Sequence, residues 1–338
     1  MLEKPDLPER LIITSVQTEY GLQINAVIFL PLGYDVHTAV FRADTTDGKV
    51  YFLKLRKGSF DLITVAVPEF LSSLGVQSII APLKTLNGRL FARLGDYTII
   101  LYPFIHGEDG YQVKLADYHW VELGQVFKMV HAAQIPPSLA RQIPCEMYDP
   151  QWRDSVKRFA CQIDQETFND PTAKQLSSFM KSKHQEISHM VLRAEQLGTA
   201  LRQQPQNFVL CHSDAHPGNY LISDSGDLYL VDWDNPFFAP KERDLMFFGS
   251  GMCGDLPGGR EENLFYQGYG LVEVDLNALV YYRYERIIQD VAEFCKQILL
   301  TSTGGADRVQ SYSYFVSSFS PGNVFDAAIR TDLLSGIR

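Results

Sequence analysis

The sequence predicts an α+β fold of two lobes, a small N-terminal lobe built on an antiparallel sheet and a larger, mainly helical C-terminal lobe. Short strand-like runs follow one another up to about residue 102, whereas helical periodicity dominates the rest of the chain. The chain has 338 residues, 46% of them hydrophobic, which is sufficient for more than one lobe. We therefore expect the N-terminal lobe at residues 1–102 and the C-terminal lobe at residues 108–338.

The N-terminal lobe is predicted to begin with a helix followed by a three-stranded meander. Residues 6–20 carry apolar side chains on one helical face, and Asp6 and Glu9 have capping-box spacing. Strand-like runs separated by turn residues follow at 26–30, 38–43 and 49–55. In the third run Lys54 alternates with apolar residues, so we expect its side chain to project from a half-buried sheet.

A helix and two more strands are expected to complete this lobe. Residues 61–74 have helical spacing and are followed by Gly75, a helix stop. Strand-like runs follow at residues 79–83 and 89–93, and a further apolar run covers residues 97–102. The sequence thus predicts a small five-stranded antiparallel sheet.

Helical periodicity marks the C-terminal lobe on both sides of a polar hairpin. Helices are expected at residues 117–133, twice within 149–203 and at 276–300. Within 211–234, two short apolar runs flank an acidic turn, a pattern that predicts a hairpin with Asp214, Asn219 and Asp232 at one edge. Carboxylate and amide oxygens without thiols suit a hard cation.

Composition argues against several classes of protein. A formal net charge of -10 is unsuited to a general nucleic-acid binder, which needs a basic face to displace counterions. The five cysteines are scattered and form no CxxC pair, which indicates reduced thiols and a cytoplasmic protein. The N-terminus lacks the pattern of a secretion signal, and no run of about 18 apolar residues is present, so we expect no membrane partner. The oligomeric state stays open.

The loop that begins the hairpin resembles that of a known family. His212, Asp214 and Asn219 lie in the order H-x-D-x-x-x-x-N, and Asp232 follows thirteen residues later. This pattern resembles the Brenner motif and metal-binding aspartate of the aminoglycoside phosphotransferase family, whose loop commonly reads HGDxHPGN where this chain has HSDAHPGN. The segments VDWDNP and PKERDL continue the family's order, and PKERDLMF and YYRYERIIQDVA look like the branch that phosphorylates spectinomycin. The resemblance implies a bilobal protein-kinase-like fold.

The resemblance also implies a role for each residue of this loop. Asp214 would be the catalytic base that accepts or orients the proton of the acceptor hydroxyl. Asn219 and Asp232 would bind Mg²⁺, which prefers oxygen ligands. His212 and Asp244 would support the loop structurally.

ATP would bind the N-terminal lobe in such a fold. Lys54 would hold the inner phosphates as a compact point charge, and the glycine at position 33 would let the backbone approach a phosphate closely. Residues 103–107 would be the hinge, where the Pro103 carbonyl accepts a hydrogen bond from adenine and the Ile105 amide donates one. A lysine of this kind needs an acidic partner, and the helix at 61–74 offers two candidates, Glu69 and Asp61.

The resemblance implies a cationic small molecule as the acceptor, and such an acceptor would need carboxylates to bind it. Asp234, Glu285 and Asp290 are the candidates, although the last two could instead pair with Arg283 or Arg286 on their own helix. The resemblance implies transfer of the γ-phosphate of ATP to a hydroxyl of an aminoglycoside or aminocyclitol such as spectinomycin.

Other functions share part of this pattern. Kinases of choline, methylthioribose, homoserine and fructosamine have the same core motif, so the motif does not select the substrate. A nucleotide-binding pseudokinase is a second class of function. A metal-dependent phosphohydrolase with His212, Asp214 and His216 as ligands is a third.

Overall fold

The computed structural model describes residues 4–33, 35, 37–205, 207–249, 259–301, 305–320 and 323–336. They divide into two compact units, each built from three segments of the chain. Unit 1 comprises residues 1–114, 133–143 and 218–236, and unit 2 comprises residues 115–132, 144–217 and 237–338. The lobe boundaries expected near residues 102 and 108 stay a prediction, and Cys253 lies outside the described residues.

Unit 1 is organised around a five-stranded antiparallel sheet, as the sequence predicts. Its strands are β1 (Ile24–Leu30), β2 (Thr38–Thr45), β3 (Val50–Lys57), β4 (Ala92–Leu94) and β5 (Tyr97–Pro103), in the spatial order β1-β2-β3-β5-β4. Helix α1 (Glu9–Tyr20) contributes Ile12 and Val16 to a core that also contains Phe41, Leu53 and Leu101 from the sheet. Two further helices, α2 (Ile63–Ser73) and α4 (Pro137–Ala140), belong to the same unit.

Three local predictions for this unit are wrong. Residues 79–83 form no strand; they are an apolar segment whose amide at Leu83 donates to the carbonyl of Leu101 at 2.7 Å. The expected strand at 89–93 is displaced to β4, which pairs with β5 across a tight turn. Helix α1 begins after Pro8, without a side-chain cap, and Glu9 instead pairs with Lys4.

The hairpin predicted near residue 220 is part of a second sheet of unit 1. Strands β6 (Gly107–Asp109), β8 (Tyr220–Ser223) and β9 (Leu228–Leu230) lie in the order β6-β8-β9. A Cβ atom at Gly107 would lie 2.0 Å from the carbonyl oxygen of Ile222. Glycine therefore permits the close pairing of β6 with β8.

Unit 2 is mainly helical, as expected. Its helices are α3 (Asp117–Ala132), α5 (Gln151–Gln165), α6 (Pro171–Ser182), α7 (His184–Arg202), α8 (Glu242–Leu245), α9 (Arg260–Tyr269), α10 (Leu276–Leu299), α11 (Gly305–Ser318) and α12 (Val324–Ser335). The two strands β7 (Val209–Cys211) and β10 (Phe237–Ala239) pair antiparallel. Residues 149–203 thus contain three helices rather than the predicted two. The additional break separates α6 from α7 at Lys183, where the sequence has neither glycine nor proline.

Helix α10 is the central element of unit 2. The side chain of Asp275 caps its N-terminus by accepting hydrogen bonds from the amides of Asn277 and Ala278 at 2.9 and 3.3 Å. The helix packs against α5, α6, α7, α8, α11 and α12. Its prediction as a mostly buried helix is confirmed, with Tyr284, Ile288 and Val291 among its buried residues.

Within the described part of the chain, no helix has both the length and the apolar character needed to cross a bilayer.

Candidate functional site

Asn219 and Asp232 lie at the same end of the β8–β9 hairpin in unit 1. Tyr220 pairs with Leu230, and the amide of Val231 donates to the carbonyl of Asn219 at 3.0 Å, so the two residues flank the paired strands. Asn219 is buried, whereas the side chain of Asp232 is 45% exposed. The two offer oxygen donors of the kind Mg²⁺ prefers, so the donor chemistry fits the expected cation.

The backbone of Asp232 is strained. Its φ of 63° lies in the left-handed region, which costs a non-glycine residue roughly 1–2 kcal/mol. Such strain persists only where the surrounding structure fixes it, and it is frequent at functional positions.

Lys54 reaches this end of the hairpin from strand β3. Its Nζ atom lies 2.8 Å from Asp232 Oδ1 and 2.8 Å from Asp234 Oδ2, and its side chain is 11% exposed. Arg56, two residues along the strand, contacts the same Asp234 oxygen at 3.3 Å. Burial by itself lowers the pKa of Lys54, but the charges of the two aspartates outweigh burial and raise the pKa above its ordinary value. Lys54 is therefore a fixed positive charge in this unit.

The acidic partner of Lys54 is neither of the two residues expected from the sequence. Glu69 pairs with Lys84 at 2.8 Å, and Asp61 accepts a hydrogen bond from the amide of Ile63 at the start of α2. The partners come from the hairpin because β3 directs the Lys54 side chain toward Asp232.

The other expected nucleotide contacts also belong to unit 1. Gly33 lies in the connection between β1 and β2 with a φ of 84°. Pro103 ends β5 opposite Tyr51, and Ile105 lies between β5 and β6. Their roles in binding ATP stay predictions.

In unit 2, Asp244 holds the backbone of the loop that carries Asp214. The Asp244 side chain is completely buried and accepts hydrogen bonds from the amides of His212 at 2.8 Å and Ser213 at 2.6 Å. His131 Nε2 lies 3.0 Å from Asp244, and His131 Nδ1 lies 2.8 Å from the hydroxyl of Tyr269. Asp244 therefore contacts the loop through two consecutive amides.

Asp214 is flanked by cationic and imidazole groups. Arg286 Nη1 lies 2.5 Å from Asp214 Oδ1, His216 Nε2 lies 3.8 Å from the same oxygen, and His212 Nδ1 accepts a hydrogen bond from the Asp214 amide at 3.3 Å. Burial by itself raises the pKa of Asp214, but Arg286, His216 and His212 outweigh it and hold the pKa below its ordinary value. Asp214 is thus ionised at neutral pH.

The contact between Arg286 and Asp214 is not evident from the sequence. By its position, Arg286 is a neighbour of the acidic residues on α10, and Arg286 Nε does lie 3.1 Å from Asp290. No local pattern could have identified the longer contact, because the two residues are 72 positions apart.

The three acidic residues expected to bind the acceptor each have a basic partner. Glu285 pairs with Arg153 on α5 at 2.9 Å, and burial raises the pKa of Glu285 to about 7 despite that partner. Asp290 pairs with Arg286, and burial likewise raises its pKa to about 6. Asp234 belongs to unit 1 and pairs with Lys54.

The described residues contain one group of three histidine, cysteine or acidic ligand atoms within 4.8 Å of one another, His131, Cys211 and Asp244. Burial raises the pKa of the Cys211 thiol well above its ordinary value, so the thiol is neutral. Asp244 already bonds the loop amides. Since His212, Asp214 and His216 do not form such a group, a phosphohydrolase metal site on those residues has no support.

Comparisons with known proteins agree with the expected family. The model of a family described as "Phosphotransferase enzyme family" matches residues 29–270. The chain is similar to spectinomycin phosphotransferase in a crystal structure with ADP and spectinomycin, with 35% identity over 97% of this chain and 99% of that chain and a TM-score of 0.90. A structure of that enzyme with AMP gives 36% identity over 96% and 98% of the two chains and a TM-score of 0.84. No curated protein sequence matches the chain.

More distant structures share the fold. Amicoumacin kinase, solved in complex with AMP-PNP, Ca²⁺ and Ami, is 15% identical over 95% of this chain and 96% of that chain, with a TM-score of 0.63. A choline kinase from Streptococcus pneumoniae is 16% identical over 91% and 97% of the two chains, with a TM-score of 0.57. The fold of this chain is therefore the one these kinases adopt.

Proposed function

We propose that this chain, which belongs to the phosphotransferase enzyme family, transfers the γ-phosphate of ATP to a hydroxyl of an aminocyclitol or aminoglycoside such as spectinomycin. The chain is a small-molecule phosphotransferase with an alcohol group as acceptor. Its structural neighbours were solved with ADP, AMP and AMP-PNP, which supports ATP as the donor. The observation that carries the proposal is the ionised, partly exposed carboxylate of Asp214, which pairs with Arg286 on a loop that Asp244 holds.

Asp214 acts on the acceptor in this proposal. Its carboxylate accepts a hydrogen bond from the acceptor hydroxyl and then its proton, while the hydroxyl oxygen bonds to the γ-phosphorus. The bond from that phosphorus to the bridging β,γ-oxygen breaks, and ADP leaves. The transition state of phosphoryl transfer is loose in most descriptions, so orientation of the hydroxyl matters more than the strength of the base. A carboxylate with a lowered pKa is suited to that task.

Lys54 acts on the phosphates of ATP. It is a largely buried cation beside two carboxylates, and its charge would screen the inner phosphates. Asn219 and Asp232 would hold Mg²⁺, which when bound neutralises charge on the phosphate oxygens. Gly33, Pro103 and Ile105 would contact the nucleotide, as the family resemblance implies.

The acceptor is proposed to be cationic because the relative of 35% identity was solved with spectinomycin. The net charge of -10 favours a cationic ligand at long range. We further propose that the reaction takes place in the cytoplasm, where ATP is available, and that it confers resistance to the acceptor antibiotic. Expression in a spectinomycin-sensitive bacterium should then raise the tolerated spectinomycin concentration, and unchanged tolerance would contradict this point.

The proposal is tested by measuring ADP release and the mass of the product with ATP, Mg²⁺ and a panel of spectinomycin, other aminoglycosides and choline. Asp214→Ala should abolish transfer while ATP binding, measured by calorimetry, stays close to wild type. Near-normal turnover in Asp214→Ala would overturn the mechanism. Transfer to choline alone would show that the chain is a choline kinase rather than an aminocyclitol or aminoglycoside kinase. ATP binding without transfer to any acceptor would favour a pseudokinase.

A further inference from the structure

We propose that Arg286 is a positioning residue for Asp214 and that Asp290 is the counter-charge of Arg286 rather than a contact of the acceptor. We call these three side chains the Asp214–Arg286–Asp290 triplet. The inference rests on the proposed role of Asp214 as the carboxylate that faces the acceptor hydroxyl.

One guanidinium joins the two carboxylates through different nitrogen atoms. Arg286 Nη1 lies 2.5 Å from Asp214 Oδ1, and Arg286 Nε lies 3.1 Å from Asp290 Oδ1. The three side chains are 20–22% exposed. The guanidinium carbon also lies 5.8 Å from the centre of the Phe247 ring, which limits its movement on that side. The planar guanidinium directs its donors at fixed angles toward the two partners, whereas a lysine presents one point charge on a flexible stem.

Helix α10 gives Arg286 a rigid base. The helix has 24 residues and packs against six other helices of unit 2. Arg283, one turn before Arg286, donates to the carbonyls of Met246 at 3.1 Å and Phe248 at 2.7 Å. Those carbonyls follow α8, the helix that carries Asp244. Helix α10, whose Arg286 contacts the Asp214 carboxylate, is therefore bonded to the segment after α8, whose Asp244 contacts the Asp214 loop.

Asp214 is thus fixed at two levels. Asp244 accepts hydrogen bonds from the amides of His212 and Ser213, the two residues before Asp214. Arg286 donates a hydrogen bond to the carboxylate of Asp214. Fixing the backbone alone would leave the carboxylate able to rotate about its side-chain bonds. The contact with Arg286 engages one carboxylate oxygen and so selects an orientation of the group. In phosphoryl transfer the proposed task of Asp214 is to orient the acceptor hydroxyl, which requires a fixed carboxylate.

Asp290 explains how an arginine can lie beside this carboxylate in a protein that binds a cation. Asp214 and Asp290 contribute two negative charges and Arg286 one positive charge, so the triplet carries a net charge of -1. Without Asp290 the pair of Asp214 and Arg286 would be neutral. Glu293 on the same helix adds a further negative charge near Arg286. The triplet therefore orients Asp214 and still leaves the region negative.

The proposed role of Arg286 predicts that removing it changes the pH dependence of kcat, whereas a purely structural role predicts no such change. His212 and His216 on the loop, and Asp290 and Glu293 on α10, are the other titratable groups that act on Asp214 or Arg286. Arg286 is the strongest of the groups that keep Asp214 ionised against its burial. If Arg286 were removed, burial would dominate, and Asp214 would take up a proton at a higher pH.

The test compares Arg286→Ala, Arg286→Lys and Asp290→Asn in steady-state kinetics from pH 5 to pH 9, with saturating ATP and Mg²⁺. Arg286→Ala should lower kcat about 10- to 100-fold with a smaller change in KM. It should also lose kcat toward low pH at a higher pH and more steeply than wild type, in which protonation of Asp290, whose pKa is about 6, already lowers kcat in this range. Arg286→Lys should retain the wild-type pH profile with an intermediate kcat. Asp290→Asn should lower kcat without a new loss at low pH, because Arg286 remains.

Arg193→Ala is the matched control. Arg193 pairs with Asp332 through two nitrogen atoms in the same unit and touches no residue of the triplet. It should lower stability and leave the pH profile of kcat unchanged. Wild-type kcat and pH profile in Arg286→Ala, with Asp214→Ala inactive, would overturn this inference and leave the proposed function standing. Near-normal turnover in Asp214→Ala would overturn the proposed function itself. If Asp290→Asn raised KM for the acceptor and left kcat unchanged, Asp290 would instead be a residue that contacts the acceptor.

Discussion

The buried carboxylate of Asp244 lies 2.6 Å from the amide nitrogen of Ser213, a residue whose φ is 71°. The same carboxylate accepts the His212 amide, so two consecutive backbone donors end on one side chain. A left-handed serine is unfavourable on its own, and hydrogen bonds from buried amides to a charged acceptor are among the stronger ones. Asp244 therefore helps to hold the turn that presents Asp214.

Asp244→Ala is expected to reduce both stability and activity. Removing the carboxylate leaves two buried amides without that acceptor, at roughly 1–3 kcal/mol for each group. The free energy of unfolding should fall by about 3 kcal/mol or more, measured by denaturant titration. Asp170→Ala is the control, since Asp170 caps α6 through the amide of Ala173. It removes this cap and the pairing of Asp170 with Arg308, and it should lower stability by less than Asp244→Ala does and leave kcat unchanged, because the Asp170 side chain is 40% exposed. Equal losses of stability in the two variants would contradict this role for Asp244.

At position 213 the glycine variant should be more stable than the alanine variant, which is the reverse of the usual order. At ordinary positions glycine is less stable than alanine by about 0.5–1 kcal/mol, whereas at positive φ glycine is free of a strain of about 1–2 kcal/mol. Both substitutions lose the hydrogen bond that Arg243 Nε donates to Ser213 Oγ at 2.8 Å. We therefore expect Ser213→Gly to unfold at a higher temperature than Ser213→Ala. A higher melting temperature for Ser213→Ala would show that φ is relaxed in solution.

Lys54→Met is expected to weaken the use of ATP. It removes the cation between Asp232 and Asp234, leaving two neighbouring carboxylates where phosphates are proposed to bind. The value of kcat/KM for ATP should fall about 100-fold, which is typical for loss of one preorganised electrostatic contact. Lys84→Met is the matched control because Lys84 pairs with Glu69 at a more exposed position of the same unit. Unchanged kcat/KM in Lys54→Met would exclude Lys54 from the phosphate site.

Glu285→Gln should change the pH dependence of stability. Burial raises the pKa of Glu285 from 4.5 to about 7, so between these values the folded state retains a proton that the unfolded chain has lost. Stability associated with Glu285 is therefore present at low pH and is lost as the pH rises toward 7. The variant should match wild type near pH 5 and exceed it by about 2–3 kcal/mol near pH 8. If wild type instead gains on the variant as the pH rises, the ion pair with Arg153 outweighs burial.

Elements with strong local patterns were predictable from the sequence. The three strands around Lys54, the helix after residue 117 and the buried helix α10 have alternating or helical spacing, and all are present. The segment 79–83 was not predictable, because a short apolar run is compatible with a strand or with a buried loop. The break between α6 and α7 at Lys183 also lacks a sequence signal, since helical spacing continues across it.

The candidate site was predictable as far as its motif extends. His212, Asp214, Asn219 and Asp232 lie close together in the chain, so a pattern of spacing could identify them. The contacts of Lys54 and Arg286 depend on tertiary packing. An arginine on an amphipathic helix is an ordinary surface residue by pattern, and only the packing of α10 brings Arg286 to Asp214.

The pairing of Lys54 with Asp232 also affects the order in which the protein can be assembled during synthesis. The two residues are 178 positions apart, although both belong to unit 1. At a synthesis rate of about 5–20 residues per second, Lys54 leaves the ribosome roughly 10–35 s before its carboxylate partner. The nascent N-terminal sheet must therefore carry an uncompensated lysine for that interval. Unit 1 reaches its final charge balance only after the first two of the three segments of unit 2 have been translated.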